Sequence, residues 1–292
     1  PAVSIVIQKE DIIMKKSIET GLAAVLAAAM LAGCGSTAST SSAAPAADAA
    51  SSTAAVEEAA TGSSAAASDG KVYRIATDTT FAPFEFEDDN GKMVGIDLDL
   101  LDAIAKDQGF QYKVDYVGFS AAVTALESGE ADGVIAGMSI TDERKQKYDF
   151  SEAYYNSGVG MAVLKDSDIA SYDDLKGKTV AAKIGTTNCD FAESIADKYG
   201  FTVTQFEDSS TMYQDVLAGT SAACFDDYPV LGYEIQRGVG FKLPLPMEEG
   251  ADFGFATMKG TNPELVKMFN AGLEDLKKDG TYDKIISTYI SK

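Results

Sequence analysis

The residues whose types and spacing promise chemistry gather in one stretch, Ala136-Gly137-Met138-Ser139-Ile140-Thr141-Asp142-Glu143-Arg144. The apolar run Val134-Ile135-Ala136 reads as a buried strand that Gly137 ends. Thr141 suits the N-cap of a helix from Asp142 to Lys147, whose first turn holds the acids that the macrodipole favours. Arg144 runs against that logic, because a cation near a helix N-terminus opposes the dipole. An anion held beyond the strand end accounts for it. Gly137 permits close approach of the backbone, Ser139 and Thr141 offer hydroxyls, and the Arg144 guanidinium offers a two-pronged donor to a carboxylate. The alternative is a plain surface helix whose charges face water.

The composition offers little beside this. The 292 residues include no His and no Trp, and three Cys, none of them in a CxxC pair. Without His the chain lacks the commonest general base and transition-metal ligand. The Cys spacing gives no zinc or iron–sulfur signature, so no metal, cofactor or catalytic residue is expected. A formal charge of −21 argues against nucleic acid or an anionic membrane surface as a partner.

Residues 1–13 read as an upstream extension, since Met14 begins a better targeting signal: Lys15-Lys16, an apolar run from Gly21 to Leu31, then Leu31-Ala32-Gly33-Cys34. The run is far shorter than the ~20 residues a spanning helix needs. Leu-Ala-Gly-Cys resembles the lipobox of bacterial lipoproteins, which implies cleavage before Cys34 and lipid on its sulfur, anchoring the protein to the outer face of the cell membrane. Residues 1–33 are thus extension and signal peptide, and 34–70 a lipidated Cys and its tether. That tether, rich in Ser, Ala and Thr, cannot bury enough apolar surface to offset ordering; as a coil it would span roughly 30–35 Å.

The elements that must position the polar residues follow from Lys71. Strands are predicted at Val72–Thr77, Tyr112–Val117 and Val134–Ala136, with a hairpin turning at Asp88-Asp89-Asn90-Gly91. Asp97 is predicted to cap a helix that Gly109 stops, and a second helix runs from Ser120 to Leu126. The pattern repeats with strands at Thr179–Ile184, Phe201–Phe206 and Ala222–Phe225 and helices at Asp190–Tyr199 and Thr211–Leu217. A strand at Phe253–Met258 precedes helices at Pro263–Lys278 and Tyr282–Ile290. Two α/β units with mostly parallel sheets result. Asp78, Ser139, Gly185 and Asp227 all fall at strand ends, where such sheets bind ligands. Gly177-Lys178-Thr179 mimics the end of a phosphate-binding loop, but Tyr172 stands where that loop needs Gly, so we read a turn.

The motifs Ala76 to Phe86, Val94-Gly95-Ile96-Asp97-Leu98-Asp99-Leu100, Ala136 to Arg144, Asp149-Phe150-Ser151 and Asp279-Gly280-Thr281-Tyr282 together resemble one family. It is the bacterial extracellular solute-binding proteins of polar amino-acid ABC importers (family 3), closest in pattern to glutamine-binding proteins. The resemblance implies a type II periplasmic-binding-protein fold: two α/β lobes, residues 71–155 plus 254–292 and residues 156–253, joined by two hinge strands and closing over an amino acid. Hinges would fall at Tyr155-Asn156-Ser157-Gly158 and Asp252-Phe253-Gly254. By the same resemblance, Arg144 with Ser139 and the backbone of Gly137 and Met138 would clamp the ligand α-carboxylate. Asp227 would take the α-ammonium, helix capping being its alternative role. Phe81 and Phe119 would sandwich the aliphatic part, and Asp78, Lys183 and Thr187 would line the side-chain end.

An Asp78–Lys183 pair offers one acceptor and one donor, which matches a carboxamide and makes glutamine the expected ligand. Asp226 stands where the known glutamine receptors have His, which leaves cystine, asparagine, glutamate, arginine and lysine open. The expected partners are the amino acid, an ABC permease and the membrane through Cys34, with the protein a monomer. The alternatives are a dehydratase-like envelope enzyme, with Glu85, Asp226 and Asp227 as acids or bases, and a sensor domain. Cys189 and Cys224 are expected as separate buried thiols, a disulfide being the other possibility.

Overall fold

The structure, a computed structural model, describes residues 70–248 and 250–290; the extension, signal peptide, Cys34 and most of the tether lie outside the described residues. In chain order the strands are β1 (Val72–Thr77), β2 (Thr80–Phe81), β3 (Glu85–Glu87), β4 (Met93–Val94), β5 (Gln111–Tyr116), β6 (Gly133–Val134) and β7 (Tyr148–Phe150). They continue with β8 (Val159–Leu164), β9 (Thr179–Lys183), β10 (Thr202–Phe206), β11 (Ala223–Asp227), β12 (Phe241–Lys242) and β13 (Ala256–Met258). The helices are α1 (Ile96–Gln108), α2 (Phe119–Ser128), α3 (Arg144–Lys147), α4 (Thr187–Tyr199), α5 (Ser209–Leu217), α6 (Tyr228–Gln236), α7 (Pro263–Asp279) and α8 (Thr281–Tyr289).

Two five-stranded sheets form, one ordered β5-β1-β6-β13-β7 and the other β10-β9-β11-β8-β12. Both are mixed rather than mostly parallel. In each, three strands pair in parallel, as in the registers Val72↔Gln111 and Thr179↔Thr202, and two join antiparallel. The physical reason lies in the crossings. The chain enters the second sheet on β8 and returns to the first on β13, and each pairs antiparallel with both of its neighbours. A small antiparallel sheet, β2-β3-β4, makes the predicted hairpin.

Each sheet is buried on both faces. In the first, α1 and α7 cover a cluster built on Ile75, Leu101, Ile104, Phe255 and Phe269, and α2 covers one built on Ala122, Leu126 and Val134. In the second, α4 covers Val163, Val180 and Phe225, while α5 packs Met212 and Val216 against Ala181 and Cys224. Such two-sided burial suits short, continuous apolar strands joined by helical crossovers.

The crossover segments lie side by side. Phe253 N donates to Tyr155 O and Tyr154 N to Phe253 O, each at 2.9 Å, and Asn156 Nδ2 donates to Asp252 Oδ1 at 2.7 Å. Gly158 and Gly250 allow this approach, since a Cβ on Gly250 would come 2.3 Å from the Gly158 Cα.

Several local expectations need correction. Asp97 does not cap α1; Gly95 holds that position and Asp97 is buried in the first turn. The helix after Thr141 is only four residues long, because β7 begins at once, although the Thr141 hydroxyl still accepts from Arg144 N at 3.1 Å. Helices α4 and α5 begin two or three residues earlier than expected, at caps Thr186 and Asp208 whose side chains accept from Cys189 N and Thr211 N. The strand expected from Phe253 is regular only over Ala256–Met258.

Candidate functional site

The residues at the strand ends meet in one cavity between the two sheets, lined by Asp78, Phe81, Phe119, Ala136, Gly137, Ser139, Arg144, Lys183, Thr186, Thr187 and Asp227. Asp78 follows the last residue of β1, Gly137 and Ser139 follow β6, Lys183 ends β9 and Asp227 ends β11. The architecture thus aims four carboxyl ends at a common crevice.

The charged groups form two sets. At one, Lys183 Nζ bonds Asp78 Oδ2 in an ion pair that joins the two lobes, with both residues 1% exposed. The other Asp78 oxygen accepts from Thr79 N at 2.7 Å, and Lys183 Nζ lies 5.7 Å from the centre of the Phe81 ring. At the other, the Arg144 guanidinium donates at 3.0 Å to Ser139 O and to Gly185 O, and lies 5.6 Å from the Phe119 ring centre. These bonds engage two of its five donors. Ser139 Oγ and Thr187 Oγ1, 3.1 Å apart, hydrogen-bond across the same gap.

Asp227 occupies the N-cap position of α6, yet its side chain makes no capping bond. It accepts instead from Ser157 Oγ at 2.5 Å and Asn188 Nδ2 at 2.7 Å. Burial, and next the Asp226 carboxylate, push it up to about 7; Ser157, Asn188 and Arg144 pull the other way. A cation placed beside it would restore its charge.

Nine of the eleven residues singled out from sequence line this cavity, and two do not. Asp226, one residue earlier on β11, is buried with Tyr213 OH on its Oδ2 at 2.6 Å and Asp227 N on its Oδ1 at 2.8 Å. Met138 is buried in the core over α2 and borders the adjoining groove. Gly137 lines the cavity, but its amide points inward to Asp97 Oδ2 at 2.8 Å. What it supplies is space, for φ is 53° and a Cβ would come 2.3 Å from the Phe81 ring. Ala136 and Thr186 join the wall without having been singled out; Thr186 carries the N-cap pattern that precedes α4. Cys189 and Cys224 are both buried free thiols. Among the described residues, no group of His, Cys, Asp and Glu could hold a metal ion, and no helix is long and apolar enough to cross a membrane.

Two α/β lobes, two adjacent crossovers and a polar crevice between them define a type II periplasmic-binding protein, a class that takes solute into the gap. Residues 73–292 match the family profile of the bacterial extracellular solute-binding proteins, family 3, and the chain belongs to that family. A probable histidine-binding protein of Neisseria gonorrhoeae is 32% identical over 228 residues, spanning 76% of this chain and 84% of that protein. Among solved structures, the second substrate-binding domain of Lactococcus lactis GlnP in its open conformation is 48% identical. It covers 77% of this chain and 98% of its own, with a TM-score of 0.56. An ancestral arginine-binding protein bound to glutamine is 40% identical, covering 76% and 98%, with a TM-score of 0.70.

Proposed function

We propose that this protein captures a free polar amino acid, glutamine in the first place, and delivers it to an ABC importer. The observation that carries the proposal is the charge layout of the cavity. Arg144, from the first lobe, and Asp227, from the second, line the cavity as a cation and a carboxyl whose partners are a ligand α-carboxylate and α-ammonium. With those two groups assigned, the Asp78–Lys183 pair leaves the side-chain end without net charge. A carboxamide, which accepts from an ammonium and donates to a carboxylate, satisfies such a pair, whereas a charged side chain opposes one member of it. Asp226 adds no charge to the wall, because Tyr213 and the Asp227 amide hold it elsewhere. An ancestral arginine-binding protein, solved both with glutamine and with arginine, leaves both side chains open for such a site.

The second reading is a cationic amino acid. It is favoured by Asp78, which would take a guanidinium if Lys183 swung aside, and by relatives named for histidine and arginine binding. In either case the protein acts as a monomeric receptor, outside the cytoplasm, tethered by lipid on Cys34. A thermal-shift screen against the standard amino acids tests the proposal. A ligand at 100 times its Kd adds about 2.7 kcal/mol, which raises the Tm by roughly 5–10 °C for a domain of this size. Glutamine is expected to give the largest shift. No shift with any amino acid, or conversion of one to product, would end the receptor reading.

A further inference from the structure

One layer behind the cavity wall lies a second pair of acidic side chains, Glu85 of β3 and Asp97 of α1, both fully buried. Gly137 N and Tyr154 OH each donate to Asp97 Oδ2 at 2.8 Å. Among the described residues, no donor meets Asp97 Oδ1 or either Glu85 oxygen. The two carboxyls are neighbours: Asp97 N donates at 3.0 Å to the carbonyl of Phe84, the residue before Glu85, and each acid acts on the other's ionisation. As two carboxylates they would be acceptor against acceptor, each short of a partner with both residues 0% exposed, an arrangement that proteins avoid. One proton resolves it, because a protonated carboxyl is a donor and its neighbour the acceptor.

We propose that Glu85 carries this proton at neutral pH and donates it to Asp97, and that the pair positions the Gly137 turn on which the ligand rests. The inference rests on the cavity being the ligand site. The proton belongs on Glu85 because Asp97 already has two donors on its other oxygen, which favour its charged form. The charged and titratable groups around Glu85 are Asp97 on α1, Asp78 after β1, Lys183 at the end of β9 and, through Asp97, Tyr154 on the first crossover. Asp97 and Asp78 oppose a charge on Glu85; Lys183 favours it but is committed to Asp78. Burial first, then Asp97, therefore holds Glu85 well above the ordinary carboxylate range, while burial raises Asp97 to about 6. Gly137, Phe81, Asp97 and Tyr154 form one packed unit, and Tyr154 continues it to the crossover through Phe253.

The test compares wild type with Glu85→Gln and Glu85→Leu. Gln keeps a donor toward Asp97 and cannot ionise; Leu keeps only the volume. A raised folded-state pKa stabilises fully below the unfolded value, and that stability is lost as pH rises through the folded value. The Tm of E85Q minus that of wild type, without ligand, should therefore increase as pH is raised from 5 to 8. A flat difference overturns the assignment of the proton, and this arm stands even if no amino acid binds. Calorimetric titration at pH 7 with L-glutamine, L-arginine and L-histidine supplies the second arm. E85L should bind roughly tenfold or more weaker than E85Q, from the orphaned Asp97 oxygen. Equal affinities would overturn the positioning role. If E85L does not fold, E85Q decides alone: affinity within about threefold of wild type supports the donor, and a loss beyond tenfold refutes it.

Discussion

Replacing Lys183 by Ala separates ligand reading from lobe clasping, since this one side chain bonds Asp78 across the gap and lines the cavity. In the variant Asp78 keeps only the Thr79 amide, at 2.7 Å, as a donor. Removing one partner of a buried ion pair leaves an uncompensated charge and costs about 3–5 kcal/mol. Because the pair joins the lobes, that cost falls on the form in which they touch. Glutamine would in addition lose the donor to its amide oxygen, worth about 1–3 kcal/mol, or roughly 5–150-fold in Kd. An arginine or lysine side chain would instead bring its own cation to Asp78 and relieve the stranded charge. The expected outcome is a crossover, with glutamine weaker and arginine or lysine stronger in the same variant. Titration calorimetry with the three ligands reads it, with Lys183→Met as a control that keeps the apolar stem. If all three weaken by one factor, Lys183 serves closure alone and the side-chain reading is wrong.

Four further outcomes are expected. Arg144→Ala should weaken every amino acid by about 100-fold or more, with little loss of Tm, since its guanidinium bonds only two backbone carbonyls; near-normal titrations would remove it from the site. In wild type, ligand affinity should rise as pH passes upward through about 7 and Asp227 ionises against the α-ammonium. Ligand-free stability should fall over the same range, and Asp227→Asn should flatten both profiles. Gly137→Ala puts a Cβ at positive φ and into the Phe81 ring, costing about 1–2 kcal/mol in backbone strain alone, so a Tm within 2 °C of wild type would contradict the geometry. Cys34→Ser should move the protein from membrane to soluble fractions or stall its processing; unchanged membrane attachment would refute a lipid anchor there.

What the sequence made legible, and what it hid, follows from how local each signal is. Arg144 stood out as a cation set against a helix dipole. The helix has four residues, and the guanidinium is aimed by Ser139 O and Gly185 O, so the position was readable although the reason was another. Asp226 and Asp227 could not be told apart. Strand β11 is buried on both faces, so apolar–polar alternation gives no sign of which carboxyl looks toward the crevice. Strand direction was hidden for a related reason. Val159–Leu164 is an apolar run whatever its orientation, and only pairing with Ala223–Asp227 makes it antiparallel. The reading of Asp97 as a cap failed because a capping motif and a buried carboxyl that holds Gly137 both place an acid near a helix start.

The chain has no histidine, yet burial and the Asp226 carboxylate hold the Asp227 carboxyl well above the ordinary carboxylate range. The formal charge of −21 counts every Asp and Glu as ionised, so the folded protein is less negative than its sequence, by whatever protons its buried acids retain. On the proposed reading, a ligand ammonium at Asp227 would favour the charged form, and its arrival at low pH would drive a proton into solution. Capture of an amino acid would then carry a proton stoichiometry of its own. It would register as a binding heat that changes with the ionisation enthalpy of the buffer, while the solute captured stays the same.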